Sequence, residues 1–165
     1  MFTYKTPDMK QIAIKYGMWM LAGFIAFFLI MYLIGQADNT YLRLFNGVIH
    51  LTLMGLAINE YRKLRPDTVH NYVSGVGTAF YTSAFGVIGF GVFMMIFLSF
   101  DPQLMQAIND HIPLDTAKTG FNPVTSGVMV IAEGIATTLV GSYIITRIID
   151  ARLEESSMPT SSYEG

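Results

Sequence analysis

The sequence predicts an all-α integral membrane protein, with four transmembrane helices in an antiparallel bundle that occupies residues 1–153. Only 13% of its 165 residues are charged, whereas 52% are hydrophobic, and a soluble domain carries about 25% charged residues. Several apolar runs are also long enough to cross a hydrocarbon core of about 30 Å. Since lipid offers no hydrogen bonds to the backbone, we expect these runs to be helical.

The first two spans differ in their polar content. The first is predicted at about residues 16–34 and has no ionisable side chain apart from tyrosine. The second, at about residues 42–59, has Arg43 at its start and His50 inside it. An ionisable group at that depth is costly, so His50 is a candidate functional residue.

The third and fourth spans are separated by the longest loop. They are predicted at about residues 72–100 and 124–147, and the fourth contains Glu133. In the loop, Asp101 and Pro102 suit the cap and first position of a short amphipathic helix on the outer side. The tail, residues 154–165, is rich in Ser, Glu, Thr and Pro, and we expect it to be disordered.

The distribution of Lys and Arg predicts the orientation of the spans. The loops after the first and third spans are poor in basic residues, whereas the N-terminal segment, the second loop and the C-terminal segment are rich in them. Because basic residues favour the cytoplasmic side, we expect both termini in the cytoplasm. The basic residues on that side are Lys5, Lys10, Lys15, Arg62, Lys63, Arg65, Arg147 and Arg152.

The fourth span has two distinct faces on a helical wheel. The half that we expect to pack against protein is small and polar, and it includes Glu133 with Ser126, Gly127, Val130, Gly134, Thr137, Thr138, Gly141 and Ser142. The half that we expect to face lipid or a partner consists of Val128, Met129, Ala132, Ile135, Ala136, Leu139, Val140 and Tyr143.

Small residues also form a stripe on the third span. Gly75, Thr78, Thr82, Gly86 and Gly89 lie within a narrow arc, and we expect this stripe to meet the small face of the fourth span. Such patterns are typical of close helix packing. The sequence therefore assigns a packing role to Gly75, Gly86, Gly89, Gly134 and Gly141.

His50 and Glu133 are predicted at nearly the same depth. They lie about 12 Å and about 13 Å below the starts of their spans at helical rise. The pair could bind a ligand or relay a proton, with Thr137 as a third member of the site. Two alternatives stay open: a purely structural polar contact, possible also with Thr137, or a position of both groups at the outer interface.

Motifs for catalysis, metals and nucleotides are missing from the sequence. It has no cysteine, no HxxxH or HExxH pattern, no Walker motif and no nucleophile elbow. A net charge of −2 gives no basic field for nucleic acid. We expect neither an enzyme nor a bound metal or cofactor.

The order of these features resembles a known family. Residues 12–17 lead directly into the first span, Tyr61-Arg62-Lys63 follows the second, Gly75–Ala84 opens the third, and Asp101-Pro102 begins the outer segment. This pattern is similar to the small bacterial four-span membrane proteins grouped as domain-of-unknown-function 4199. The resemblance implies a location in the bacterial inner membrane and assigns no site residue.

Two functional hypotheses follow. The first is a non-catalytic membrane protein that is a structural or accessory subunit of a larger complex, in contact with lipid and with other subunits or copies of itself. The second is a proton-coupled transporter or ion-conducting element that uses His50 and Glu133.

Overall fold

The computed structural model describes residues 8–37, 39, 44–69, 71–110 and 122–157, which are nearly all helical and include no β-strand. The predicted span residues 42–43, the basic residue Lys5 and residues 158–165 of the predicted tail lie outside this described part. The helices are α1 (Met9–Leu33), α2 (Leu44–Leu64), α3 (Tyr72–Phe100), α4 (Pro102–Asp110) and α5 (Pro123–Ser157), with a 3₁₀ turn at Pro66–Thr68.

Three of the described helices are long and apolar enough to cross a membrane. They are α1, α3 and the Pro123–Glu155 part of α5. The described residues are therefore those of a helical protein with three helices suited to a membrane. The α2 helix is not among the three, since its sequence includes Asn46, His50 and several charged residues near its end.

Local sequence signals set the ends of the helices. Asp8 caps α1, because its Oδ1 accepts a hydrogen bond from the Met9 amide at 2.9 Å. Gly35, with a φ of +70°, follows the end of α1 in the left-handed conformation that glycine adopts most readily. The α3 helix has the predicted bounds. The expectation of a disordered tail from residue 154 is wrong for residues 154–157, which continue α5.

The short helix α4 has the predicted position and cap. The Leu104 amide donates to Asp101 Oδ1 at 3.0 Å, and Pro102 is the first helical residue. Its apolar side rests on the bundle: Met105 is buried in the main hydrophobic core, and Leu104 and Ile108 pack against that core. The α4 helix thus covers one end of the bundle.

The α3 helix is central, because it contacts every other described helix. It runs in the same direction as α1: a Cβ at Gly17 would lie 2.8 Å from the Thr82 carbonyl oxygen, and Tyr32 bonds to Asp101. It runs opposite to α5, since a Cβ at Gly75 would meet Thr146 whereas a Cβ at Gly127 would lie 2.7 Å from the Gly91 carbonyl oxygen.

The α2 helix fills the remaining groove against α1, α3 and α5. It runs opposite to α1, with Lys15 beside Glu60 at one end and Phe27 beside Phe45 at the other. It has the same direction as α5. His50 contacts Thr138, and Arg62, further along α2, contacts Asp150, which is further along α5.

The small stripe of α3 is divided between two neighbours, so the expectation that all of it meets the last helix is wrong. Gly75 does face α5, where a Cβ would lie 2.5 Å from Thr146 Cγ2. Gly86 and Gly89 face α1 instead, and their Cβ atoms would lie 2.5 Å from Met20 Sδ and 2.9 Å from Leu21 Cδ2. Because α3 is central, it needs a small surface on both sides.

The two faces of α5 follow the predicted division, with Glu133 as the exception. All eight residues of the predicted outer face are exposed, and Ser126, Thr138 and Ser142 of the inner face are buried. The buried row recurs every fourth residue, a spacing that brings the backbones of crossing helices close together. Its members are the buried Ser126, Thr138, Ser142, Thr146 and Asp150 and the half-buried Val130 and Gly134.

Candidate functional site

His50 lies at the point where α2, α3 and α5 meet. Its side chain is only 3% exposed. Its Nε2 atom lies 2.9 Å from Ser83 Oγ on α3 and 3.1 Å from Thr138 Oγ1 on α5. One imidazole nitrogen therefore joins three helices in the interior.

The two hydroxyls beside His50 also have other partners. Thr138 Oγ1 donates to the Gly134 carbonyl oxygen at 2.8 Å, and Ser83 Oγ lies 3.8 Å from Met54 Sδ. The tautomer of His50 sets which atom donates in each contact with Nε2.

Glu133 does not lie on the packed face of α5, which corrects the expected contact with His50. Its side chain is exposed at the surface of the bundle. It precedes Thr138 by five residues, which places it about 140° away around a helix of 3.6 residues per turn. The Thr137 hydroxyl, half-buried, donates to the Glu133 carbonyl oxygen at 2.9 Å. The structure brings His50 to Thr138 rather than to Glu133 or Thr137.

The period of the buried row explains this error. A wheel for a straight helix assigns one fixed inner face along its whole length. Because the row from Ser126 to Asp150 recurs every four residues instead of every 3.6, the inner face rotates by about 40° at each step. Glu133 and Ser126 have nearly the same angle on the wheel. By the level of Glu133, two turns later, the inner face has rotated away, so Ser126 is buried and Glu133 is exposed.

A second polar centre, which the sequence analysis missed, joins α2 to α5. Arg62 is 1% exposed and Asp150 is 3% exposed. Arg62 Nε lies 2.9 Å from Asp150 Oδ1, and Nη2 lies 2.9 Å from Asp150 Oδ2. This is the bidentate geometry that a guanidinium and a carboxylate prefer.

Every N–H of Arg62 has an acceptor. In addition to the two bonds to Asp150, Nη1 donates to the Thr68 carbonyl oxygen and to Ser74 Oγ, the latter at 2.7 Å. Nη2 also donates to the Asn71 carbonyl oxygen at 3.3 Å. A guanidinium has five N–H groups, so its bonding capacity is filled. Arg62 therefore holds the turn between α2 and α3 against α5.

The sequence assigned Arg62 only to the orientation of the spans, because it lies close to Lys63 and Arg65. One signal for its burial was present. Asp150 continues the four-residue row of Thr138, Ser142 and Thr146, so it belongs to the packed face and needs a cationic partner. An arginine at the end of the neighbouring helix supplies that charge.

The glycines with a predicted packing role all lie at helix contacts. In addition to Gly75, Gly86 and Gly89, Gly134 meets Val87 of α3, and a Cβ at Gly141 would lie 2.5 Å from Leu51 Cδ2 of α2. Each glycine thus allows a neighbouring side chain to approach the backbone.

The described residues contain no group of three or more His, Cys, Asp or Glu that could hold a metal ion. Comparisons with protein-family models, with curated proteins and with solved structures found no match. The resemblance to the domain-of-unknown-function 4199 proteins therefore stays a hypothesis.

Proposed function

We propose that the chain is a four-span protein of the bacterial inner membrane, with both termini in the cytoplasm, and that it serves without catalysis as an accessory subunit of a membrane complex. The directions of the helix pairs support an antiparallel bundle. The remaining question for the topology is how α2 would cross the lipid.

The distribution of polar groups around α2 supports a fourth span. His50 and Arg62 are buried and bonded to other helices. The exposed side of the helix is largely apolar, with Leu44, Phe45 and Val48 more than half exposed. A low average hydropathy is compatible with a span when the polar side chains face protein rather than lipid.

The exposed face of α5 carries the proposal of a subunit. It combines apolar residues with one carboxylate, Glu133, which lies at the bundle surface. A partner subunit packed on this face would contact the apolar residues and the carboxylate together. The small residues Ala132 and Ala136 beside it would let a partner helix approach closely.

Purification of native complexes tests this proposal. We expect wild-type protein, extracted in a mild detergent, to retain a different membrane protein at fixed stoichiometry, identified by mass spectrometry. The variants Ala136→Trp and Glu133→Gln should reduce its recovery, because they block or neutralise the proposed contact. Val48→Trp, on the exposed face of α2, is the matched control and should retain the partner.

Three outcomes would contradict the proposal. They are a chain that purifies alone as a monomer, a chain that purifies only as a homo-oligomer, and a partner retained equally by all variants. The second outcome would instead indicate self-association through this face.

A further inference from the structure

An open cleft lies where the C-terminal ends of α1 and α3 meet. It has a volume of about 290 Å³. Its lining combines four aromatic rings and an aliphatic side chain with one carboxylate: Tyr32, Phe93, Ile96, Phe97, Phe100 and Asp101. This site shares no lining residue with the His50 and Arg62 centres or with the outer face of α5, and it plays no part in the function proposed above.

The aromatic walls are arranged at an angle to one another. The rings of Tyr32 and Phe97 have centroids 5.1 Å apart and planes at 83°. The Phe93 and Phe97 rings are 5.7 Å apart and tilted by 37°. Aromatic surfaces that face different directions can surround a cation, because each ring face carries negative electrostatic potential.

Asp101 supplies a fixed negative charge at the rim. Its Oδ1 accepts from the Leu104 amide at 3.0 Å, and its Oδ2 accepts from the Tyr32 hydroxyl at 2.7 Å. These two hydrogen bonds, the backbone one first, lower the pKa of Asp101. A carboxylate has about four acceptor positions, so both oxygens retain capacity for a further donor.

We propose that this cleft binds the ammonium headgroup of a zwitterionic phospholipid. The cation would sit against the rings of Tyr32, Phe97 and Phe100, within reach of the Asp101 carboxylate. An ammonium group matches both elements of the site, since the rings attract cations and the carboxylate neutralises the charge.

The apolar surfaces beside the cleft favour a lipid as the ligand over a soluble amine. The α1 and α3 helices are both candidate membrane spans, and the cleft is at their ends, where a spanning helix would meet the headgroups. Ile96 is 55% exposed and Phe100 is 85% exposed on its outer side. These apolar surfaces give the acyl chains a place to lie, which a small soluble ammonium compound would not use.

Native mass spectrometry with lipids of identical acyl chains tests this proposal. The full chain in detergent is titrated with phosphatidylethanolamine, phosphatidylcholine and phosphatidylglycerol. We expect the two ammonium lipids to bind about fivefold or more tightly than the glycerol lipid, since one cation–π contact is worth about 1 kcal/mol. Asp101→Asn should remove most of this preference, and Phe100→Leu should reduce it.

The controls separate binding from folding. Asn is a good helix cap, so Asp101→Asn keeps the start of α4, which circular dichroism verifies. Phe100 is largely exposed, so its replacement leaves the core intact. Asp8→Asn makes the same change at the cap of α1, at the other end of the bundle, and should leave the lipid preference unchanged.

Equal or tighter binding of phosphatidylglycerol would overturn the proposal, as would an unchanged preference in both Asp101→Asn and Phe100→Leu. In the last part of the experiment, soluble phosphoethanolamine or choline is added to the lipid-bound protein. If they displace the bound lipid at concentrations similar to that of the lipid itself, the occupant is a soluble amine and the assignment to a lipid is wrong.

Discussion

Arg62 and Asp150 form a bidentate ion pair that is almost completely closed to solvent, with both N–O distances at 2.9 Å. They come from helices that are far apart in the chain. The same guanidinium also holds the turn that leads into α3. One end of the bundle is thus fixed by a single charged centre, and the His50 contacts fix its middle.

We expect Asp150→Ala to lower the free energy of unfolding by about 3–5 kcal/mol, because it leaves a buried guanidinium without its counter-charge. Unfolding in mixed micelles, followed by circular dichroism, measures this. Lys15→Ala is the matched control, since the Lys15–Glu60 pair has side chains 53% and 28% exposed and the Tyr16–Glu60 hydrogen bond is kept. Its ion pair should contribute about 1 kcal/mol or less.

The double variant Arg62→Met with Asp150→Leu should be more stable than Asp150→Ala alone, since an apolar pair removes both buried charges. Similar losses for Asp150→Ala and Lys15→Ala would show that the Arg62–Asp150 ion pair does not stabilise this end of the bundle.

His50 should be coupled to Ser83 and not to Glu133. In a double-mutant cycle, His50→Ala and Ser83→Ala should show an interaction of about 0.5–3 kcal/mol, because they share a hydrogen bond. His50→Ala and Glu133→Gln should be additive within about 0.5 kcal/mol. Unfolding in detergent measures all the free energies. Coupling between His50 and Glu133, with additive effects for His50 and Ser83, would contradict this prediction and support the contact expected from the sequence.

The sequence predicted those features that depend only on the order of polar and apolar residues within one helix. The bounds of α3, the cap and apolar side of α4 and the exposed face of α5 all follow from the chemistry of neighbouring residues. The partners of Arg62 and Glu133 do not, since they depend on how two helices cross. Local sequence shows a buried polar row on α5, but not which helix supplies the group opposite each member.

Gly127→Ala should destabilise the bundle by about 1–3 kcal/mol, the usual cost of overpacking. Its Cβ would lie 2.7 Å from the Gly91 carbonyl oxygen, and the backbone cannot move aside as a flexible side chain does. Gly47→Ala is the control, because nothing lies within 4 Å of its Cβ. It should be neutral or stabilising by up to about 1 kcal/mol, given the helix propensity of Ala. Thermal unfolding compares the two, and equal effects would disprove the close contact.

Acid should loosen α4. The pKa of Asp101 is lowered by hydrogen bonds from the Leu104 amide and the Tyr32 hydroxyl, so the charged carboxylate is favoured in the folded state. Its contribution to stability is present above the ordinary aspartate pKa of about 4 and is lost as the pH falls through the lower folded value. Hydrogen exchange of α4 amides, corrected for intrinsic rates, should therefore accelerate in wild type below about pH 4. Asp101→Asn should not show this added acceleration.

Both termini should lie on the cytoplasmic side, with α4 outside. The chain has no cysteine, so single cysteines report position without background. A membrane-impermeant maleimide applied to intact cells should label Asp110→Cys at the end of α4. It should label Asp67→Cys, in the exposed turn after α2, and Glu155→Cys, near the end of α5, only after the cells are opened. If Asp67→Cys and Glu155→Cys are labelled on opposite sides, α3 and α5 do not both cross the membrane, and the four-span topology is wrong.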